Sequence, residues 1–321
     1  MLLYFLAVAV GFAILIWGAD RFVIGAAATA RNLGVPPLII GLTVVGFGTS
    51  APEMLVSGLA AWHGSPEISV GNAIGSNIAN IGLVIGTTAL VVPITVHSTT
   101  LRREFPLLFI FMVLSLLLLV DGYLSWWDGV SLIAGMFLML YWITRIALRS
   151  RGSDPLQKEY ASEIPLHMPM WKAGIWLLIG LLLLLLGSRL VVYGAIEIAQ
   201  WLGISDLIIG LTVIAIGTSL PELAASIMCI LKKEDDMAVG NVVGSNMFNL
   251  LGVMGIPGLI MPFQVPVEAL SRDFAVMFAF TIALFAMSYG FGRNGVISRF
   301  KGVALLASFL AYLVYLYIGS L

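Results

Sequence analysis

The stretch GLTVVGFGTSAPEMLVS at residues 41–57 recurs as GLTVIAIGTSLPELAAS at residues 210–226, identical at ten of seventeen positions without a gap. The same offset of 169 residues lays SVGNAIGSNIANIGLVIG (69–86) on AVGNVVGSNMFNLLGVMG (238–255), identical at nine of eighteen. Two blocks repeated in one order are a duplication, so the chain reads as two copies of one unit.

Around these blocks the composition is that of a membrane protein. Of 321 residues, 60% are hydrophobic and 10% charged, with a mean hydropathy of +1.05. Soluble domains sit near roughly 45–50% apolar and about 25% charged. The 34 glycines agree, since small residues let helices approach closely in lipid. Basic and acidic residues number 16 and 17, a net charge of -1, too balanced for a nucleic-acid partner. The lone Cys229 excludes a disulfide framework and any Cys-His metal spacing. The N-terminal MLLYFLAVAVGFAILIWGADRF lacks a basic start and a small-residue cleavage site, and reads as a retained span.

A spanning helix needs about 20 mostly apolar residues. Ten stretches qualify, near 2–19, 37–60, 68–92, 105–121, 128–148, 173–194, 206–230, 238–261, 273–291 and 302–320. They predict an all-α integral membrane fold with five helices in residues 1–148, a polar cytoplasmic linker at 149–172 and five helices in 173–321. Because five is odd, the second copy enters the membrane upside down. The ten transmembrane helices then form two inverted five-helix repeats, the plan of many secondary transporters, with the substrate near the midplane. Lys and Arg accumulate on the cytoplasmic side. With both termini outside, fourteen of the sixteen fall there, leaving only Arg189 and Arg272 outside. That orientation puts Trp126 and Trp127 at an outer edge of a cell (inner) plasma membrane.

Glu53 and Glu222 are the two acids expected inside spans, and they occupy equivalent repeat positions. A charge at mid-membrane costs at least about 2.5–3.5 kcal/mol. No Lys, Arg or His is expected at their depth, so the partner is a bound cation or a proton. Thr49, Ser50 and Glu53 share a helical face, as do Thr218, Ser219 and Glu222. Pro52 and Pro221 should kink or break their helices, freeing carbonyls before the break, notably those of Gly46 and Ala215. The next helix of each half adds Ser76 and Asn80, or Ser245 and Asn249, four residues apart. Carboxylate, hydroxyl, amide and carbonyl oxygens without thiol or imidazole suit calcium and sodium rather than zinc or copper.

Plainer readings compete. Ser50-x-x-Glu53 and Ser219-x-x-Glu222 fit a capping box at a helix restart, but its recurrence in a membrane without a cationic partner favours ligation. Asn80 and Asn249 could equally be hydrogen-bond glue between helices. Gly71/Gly75 and Gly240/Gly244 are best read as close-packing GxxxG pairs. Glu234, Asp235 and Asp236 read as a solvated charged turn, and Asp20/Arg21 as a helix-end pair. His63, His97 and His167 fall in loops, which argues against a serine hydrolase.

The blocks GTSAPE with GNAIGSNIAN and GTSLPE with GNVVGSNMFN resemble the two alpha repeats of the sodium/calcium exchanger family, within the calcium/cation antiporter superfamily and closest to its compact prokaryotic members. The resemblance implies a core made of the second and third spans of each half, with the first and sixth spans sliding as a gate. It carries the family's ion ligands onto Gly46, Thr49, Ser50, Glu53, Ser76 and Asn80, and onto Ala215, Thr218, Ser219, Glu222, Ser245 and Asn249. Some relatives are acidic where this chain has Asn249, so the site carries two formal negative charges, enough for one calcium or two sodium ions. The short linker lacks the regulatory calcium-binding domains of animal exchangers, and the glutamate that proton/calcium exchangers place in the GN motif is absent.

The expected function is sodium/calcium antiport by alternating access, with calcium, sodium and the lipid bilayer as partners, and no enzyme activity, cofactor or protein partner. Calcium/proton antiport is the alternative. A cation channel and a membrane enzyme using the paired carboxylates follow, the last weakened by the lack of a nucleophile-base pair.

Overall fold

In hydrocarbon every backbone N–H and C=O must find a partner within the chain, which favours helices over irregular backbone. The computed structural model describes residues 2–34, 43, 45–62, 64, 66–96, 101–149, 168–201, 215–289 and 295–319, and these are mostly helical. In chain order come α1 (Leu2–Leu33), α2 (Gly46–Trp62) and α3 (Glu67–Ala79), which continues through a π-helical turn (Asn80–Ile85) into α4 (Gly86–Val91). Strand β1 (Ile94–Val96), α5 (Leu101–Leu119), β2 (Tyr123–Leu124) and α6 (Trp126–Arg149) complete the first half. The second half holds α7 (Met170–Trp201), α8 (Ala215–Thr218), α9 (Leu220–Leu231) and α10 (Asp235–Phe248), followed by a π turn (Asn249–Val253) and α11 (Met254–Ile260). Strand β3 (Phe263–Gln264), a π turn (Ala269–Asp273), α12 (Phe274–Tyr289), β4 (Gly295–Ile297) and α13 (Arg299–Gly319) end it.

Seven helical stretches are long and apolar enough to cross a membrane: Leu2–Leu33, Ser69–Val91, Trp126–Ile143, Met170–Val191, Asp235–Ile260, Ala269–Tyr289 and Arg299–Leu316. Helices also stand at the other three expected positions, as α2, α5 and α9. The starts of the expected spans 37–60 and 206–230, most of the linker, and His63, His97 and His167 lie outside the described residues.

Burial sorts these helices. In the Ser69–Val91 and Asp235–Ile260 spans 72% and 83% of residues are buried, against 17–28% in the other five. The two spans carrying the GN motifs therefore form the centre, and the other five surround them.

Helix α1 runs on to Leu33 rather than ending near residue 19, because FVIGAAATA (22–30) is apolar and rich in strong helix formers. Asp20 and Arg21 are thus inside a helix rather than at its end. Lys232 at the end of α9 pairs with Asp20 at 2.5 Å, and Arg21 lies over Trp17 and Trp176 at 5.7 and 4.9 Å from the ring centroids.

Helices α1 and α7 pack antiparallel along a seam of glycines. Gly11, Gly18 and Gly25 of α1 meet Val191, Leu183 and Leu177 of α7, in descending order. Gly180, Gly187 and Gly194 of α7 meet Phe22, Leu15 and Val8 in return. Each set recurs every seventh residue, and the two sets are equivalent under the repeat offset. A Cβ on Gly18 would stand 2.8 Å from Leu183 Cβ, and one on Gly194 would stand 2.6 Å from the Tyr4 carbonyl. Only glycine allows this approach.

Two short antiparallel ribbons tie the halves together. β1 pairs with β4 (Ile94 opposite Ile297), and β2 pairs with β3 (Leu124 opposite Phe263). The first ribbon is anchored where the Thr95 N–H donates to Asp235 Oδ2 at 2.8 Å. Asp235 and Asp236 occupy the first turn of α10, where negative charge is favoured. Glu234 and Asp236 are buried, so this is not the solvated turn that the charge run suggested.

Candidate cation site

The repeated motifs meet crosswise. Helix α2, carrying GTSAPE, packs against α10 of the other half, and α8, just before Pro221, packs against α3. Each half thus presents its carboxylate to the amide- and hydroxyl-bearing helix of its counterpart.

Helix α2 runs from Gly46 through Pro52 to Trp62 without a break, so of the two expected outcomes, a kink or a break, the break does not occur in the first half. The residue four before Pro52 is Gly48, whose carbonyl the ring must avoid, and a glycine backbone yields most easily there. In the second half the interruption is present: α8 ends at Thr218, Ser219 is a turn residue, and α9 begins at Leu220 with Pro221 in its first two positions. Ser219 is the N-cap residue of α9, yet its side chain makes no capping hydrogen bond. The capping-box reading therefore fails there.

All the candidate ligands lie in this region. Thr49, Ser50, Glu53, Ser76, Asn80, Ser219, Glu222, Ser245 and Asn249 are buried, Glu53 and Glu222 each at 1% exposure. Gly46 is buried, Thr218 half-buried, and Ala215 opens α8. The helices that carry the two carboxylates, α2 and α9, touch one another. Among the described residues neither glutamate has an ion-pair partner. Asn80 and Asn249 each begin a π-helical turn, a distortion often found at functional sites.

The hydroxyls divide into two kinds. Thr49 Oγ1 is held by Val45 O (3.1 Å), Ser245 Oγ (3.2 Å), Asn241 Oδ1 (3.3 Å) and Gly46 O (3.4 Å). Ser245 Oγ donates to Gly46 O at 3.3 Å, so that carbonyl is in the same knot. By contrast, among the described residues Ser50 Oγ, Glu53 Oε2 and Asn80 Oδ1 in the first half have no hydrogen-bond partner, nor do Ser219 Oγ, Glu222 Oε2 and Asn249 Oδ1 in the second. These are three matched pairs under the 169-residue offset. An unsatisfied buried acceptor costs about 1–3 kcal/mol, more when charged, and such a group calls for an unseen water or ion. No group of three or more His, Cys, Asp or Glu that could hold a metal occurs among the described residues. The oxygens on offer are carboxylate, hydroxyl, amide and carbonyl, a donor set that fits calcium or sodium.

Sequence reasoning overlooked a second layer. Asn72 Nδ2 donates to Ser57 Oγ (3.1 Å) and to the Glu53 carbonyl (3.3 Å), and the equivalent Asn241 Nδ2 donates to Ser226 Oγ (3.2 Å). Asn77 and Asn246 meet each other across the two halves. All six are identical pairs in the repeat alignment, the signal that could have found them.

The two sides of the site differ. Gly71 is exposed, Asn72 and Gly75 are half-buried, and a Cβ on either glycine would meet nothing within 4 Å. Residues 236–255 are all buried, and Gly244 packs on Gly46, where a Cβ would lie 3.3 Å from the Gly244 Cα. The close-packing role expected of both GxxxG pairs is thus seen in the second half and not in the first.

A family model described as sodium/calcium exchanger protein matches residues 3–145 and 172–318. The chain is 50% identical over 312 residues to the putative antiporter CaxA of Alkalimonas amylolytica, covering 97% of this chain and 98% of that protein. It is 43% identical over 319 residues to the inner membrane protein YrbG of Escherichia coli K12, covering 99% and 98%. Among solved structures, the sodium/calcium exchanger from Methanococcus jannaschii superposes with a TM-score of 0.81 at 34% identity, over 98% of each chain.

Proposed function

Because the chain is a membrane protein belonging to the sodium/calcium exchanger family, we propose that it is a secondary active antiporter exchanging sodium for calcium by alternating access. The cations bind between the two halves on Ser50, Glu53, Asn80, Ser219, Glu222 and Asn249. Thr49, Ser76, Thr218 and Ser245 and the carbonyls of Gly46 and Ala215 complete the ligand set. The reading rests on one observation: six buried oxygens without partners among the described residues, three from each half, in matched pairs. Two carboxylates neutralise one calcium or two sodium ions, so the two cargoes compete for one site.

The architecture that serves this cycle is ten spans in two inverted halves. Supporting it are the crosswise packing of equivalent helices, the antiparallel α1–α7 seam and the two ribbons joining the halves. With both termini outside, the exposed Gly71–Gly75 face opens outward and the buried start of α10 lies toward the cytoplasm. The membrane is the inner, plasma membrane.

Glutamates without a basic partner among the described residues also fit protons, which makes calcium/proton exchange the second reading. Calcium-45 uptake into proteoliposomes with imposed sodium or pH gradients decides. Uptake that needs internal sodium supports the proposal, and uptake that persists without sodium but collapses with the pH gradient overturns it.

A further inference from the structure

The contact between Asn77 and Asn246 follows the pseudo-symmetry of the chain, because these residues are 169 positions apart and bond to each other. Asn77 Nδ2 donates to the Asn246 carbonyl at 3.3 Å, and Asn246 Nδ2 returns the bond to the Asn77 carbonyl at 3.5 Å. Both side chains are 1% exposed. Reciprocal bonds of this kind are the signature of a two-fold contact, here between α3 and α10 beside the site.

The remaining bonds break that symmetry. Asn80 Nδ2 donates to Asn246 Oδ1 at 3.0 Å. This engages one of the two N–H groups of the Asn80 amide, and its Oδ1 is left buried and, among the described residues, without a partner. The mirrored bond would run from Asn249 to Asn77 Oδ1, but Asn77 Oδ1 has no hydrogen-bond partner. Asn77 Nδ2 instead also approaches Met277 Sδ at 3.4 Å. One arm of the device is closed and the other open.

A carboxamide offers oxygen on one side and an N–H donor on the other, and a cation accepts only the oxygen. Whatever holds the nitrogen therefore decides whether the oxygen is available. We propose that Asn246 and Asn77 are positioning residues, each orienting the ligand amide of the opposite half: Asn246 holds Asn80 in the conformation seen here, and Asn77 is the seat for Asn249. This rests on the exchanger reading, since it assigns Asn80 and Asn249 to the cation site.

The test is a pair of double-mutant cycles read on half-saturating calcium for uptake into proteoliposomes. Asn246→Ala should raise half-saturation about fivefold, the equivalent of about 1 kcal/mol for one hydrogen bond. In an Asn80→Ala background it should add nothing further. Asn77→Ala should couple in the same way to Asn249→Ala, while the crossed pairs, Asn246 with Asn249 and Asn77 with Asn80, should be additive. Additivity in the matched pairs, or equal coupling in the crossed pairs, overturns the proposal, because a purely structural contact would not discriminate. Asn246→Ser, which keeps a polar atom, serves if the alanine variant does not fold, and should fall between wild type and alanine. Sodium dependence is read on the wild type in the same vesicles. If calcium uptake ignores sodium, the exchange reading falls while the cycles stay readable on whichever gradient drives uptake. If the wild type shows no saturable calcium uptake, both fall.

Discussion

Replacing Glu53 or Glu222 by Gln removes one unit of charge at nearly constant volume. Each carboxylate is 1% exposed, has one oxygen without a hydrogen bond and has no ion-pair partner among the described residues. With calcium bound, the intact pair is neutral. Either variant leaves one uncompensated positive charge in a dry site. Removing one member of a buried ion pair costs about 3–5 kcal/mol, which corresponds to a weakening of calcium binding by roughly 150- to 5,000-fold. Initial rates of calcium-45 uptake into sodium-loaded proteoliposomes, measured against external calcium, give the half-saturation point. Melting curves in detergent give an independent measure. Calcium at about 100 times its Kd should stabilise the wild type by about 2.7 kcal/mol, and that shift should vanish in both variants at the same calcium concentration. The reasoning is refuted if either variant keeps sodium-driven uptake with half-saturation within about threefold of the wild type.

Ser50→Ala and Ser219→Ala remove oxygens that lack a partner but carry no charge, so each should weaken calcium binding by about 1 kcal/mol, or roughly fivefold, with little change in maximal uptake. On the α1–α7 seam, Gly18→Ala puts a methyl group against Leu183, where a Cβ has only 2.8 Å. It should lower the melting temperature through about 1–3 kcal/mol of overpacking. Gly75→Ala, where a Cβ meets nothing within 4 Å, should leave the melting temperature unchanged, and differential scanning fluorimetry compares the two directly.

Much of the site was legible because a duplication marks its own important positions. Glu53 and Glu222 stood out as acids where an apolar residue was expected, and the structure buries both. The π turns at Asn80 and Asn249 and the second layer of Asn72, Ser57, Asn241 and Ser226 were not foreseen. Their identities repeat in the alignment, but a polar residue that bonds a neighbouring helix looks the same in a sequence as one that faces a cation. The continuous α2 was missed for a related reason. Proline predicts a disturbance, whereas the backbone around Gly48 and the packing against α10 determine whether a helix bends or stops.

Composition, hydropathy and the 169-residue offset were by themselves enough to identify a membrane chain with an internal sequence repeat and an acid at the matching position of each copy. These are properties of residue type and spacing, which one dimension records in full. Only the tertiary structure decided which of these oxygens already hold hydrogen bonds within the chain and which do not. The Thr49 and Ser245 hydroxyls are engaged by groups nearly two hundred residues away, at 3.2 to 3.3 Å. Those of Ser50 and Ser219 have no hydrogen-bond partner. The physical reason is that a buried polar atom left without a partner inside the chain calls for a cation or a water, and which atoms are left depends on which helices cross.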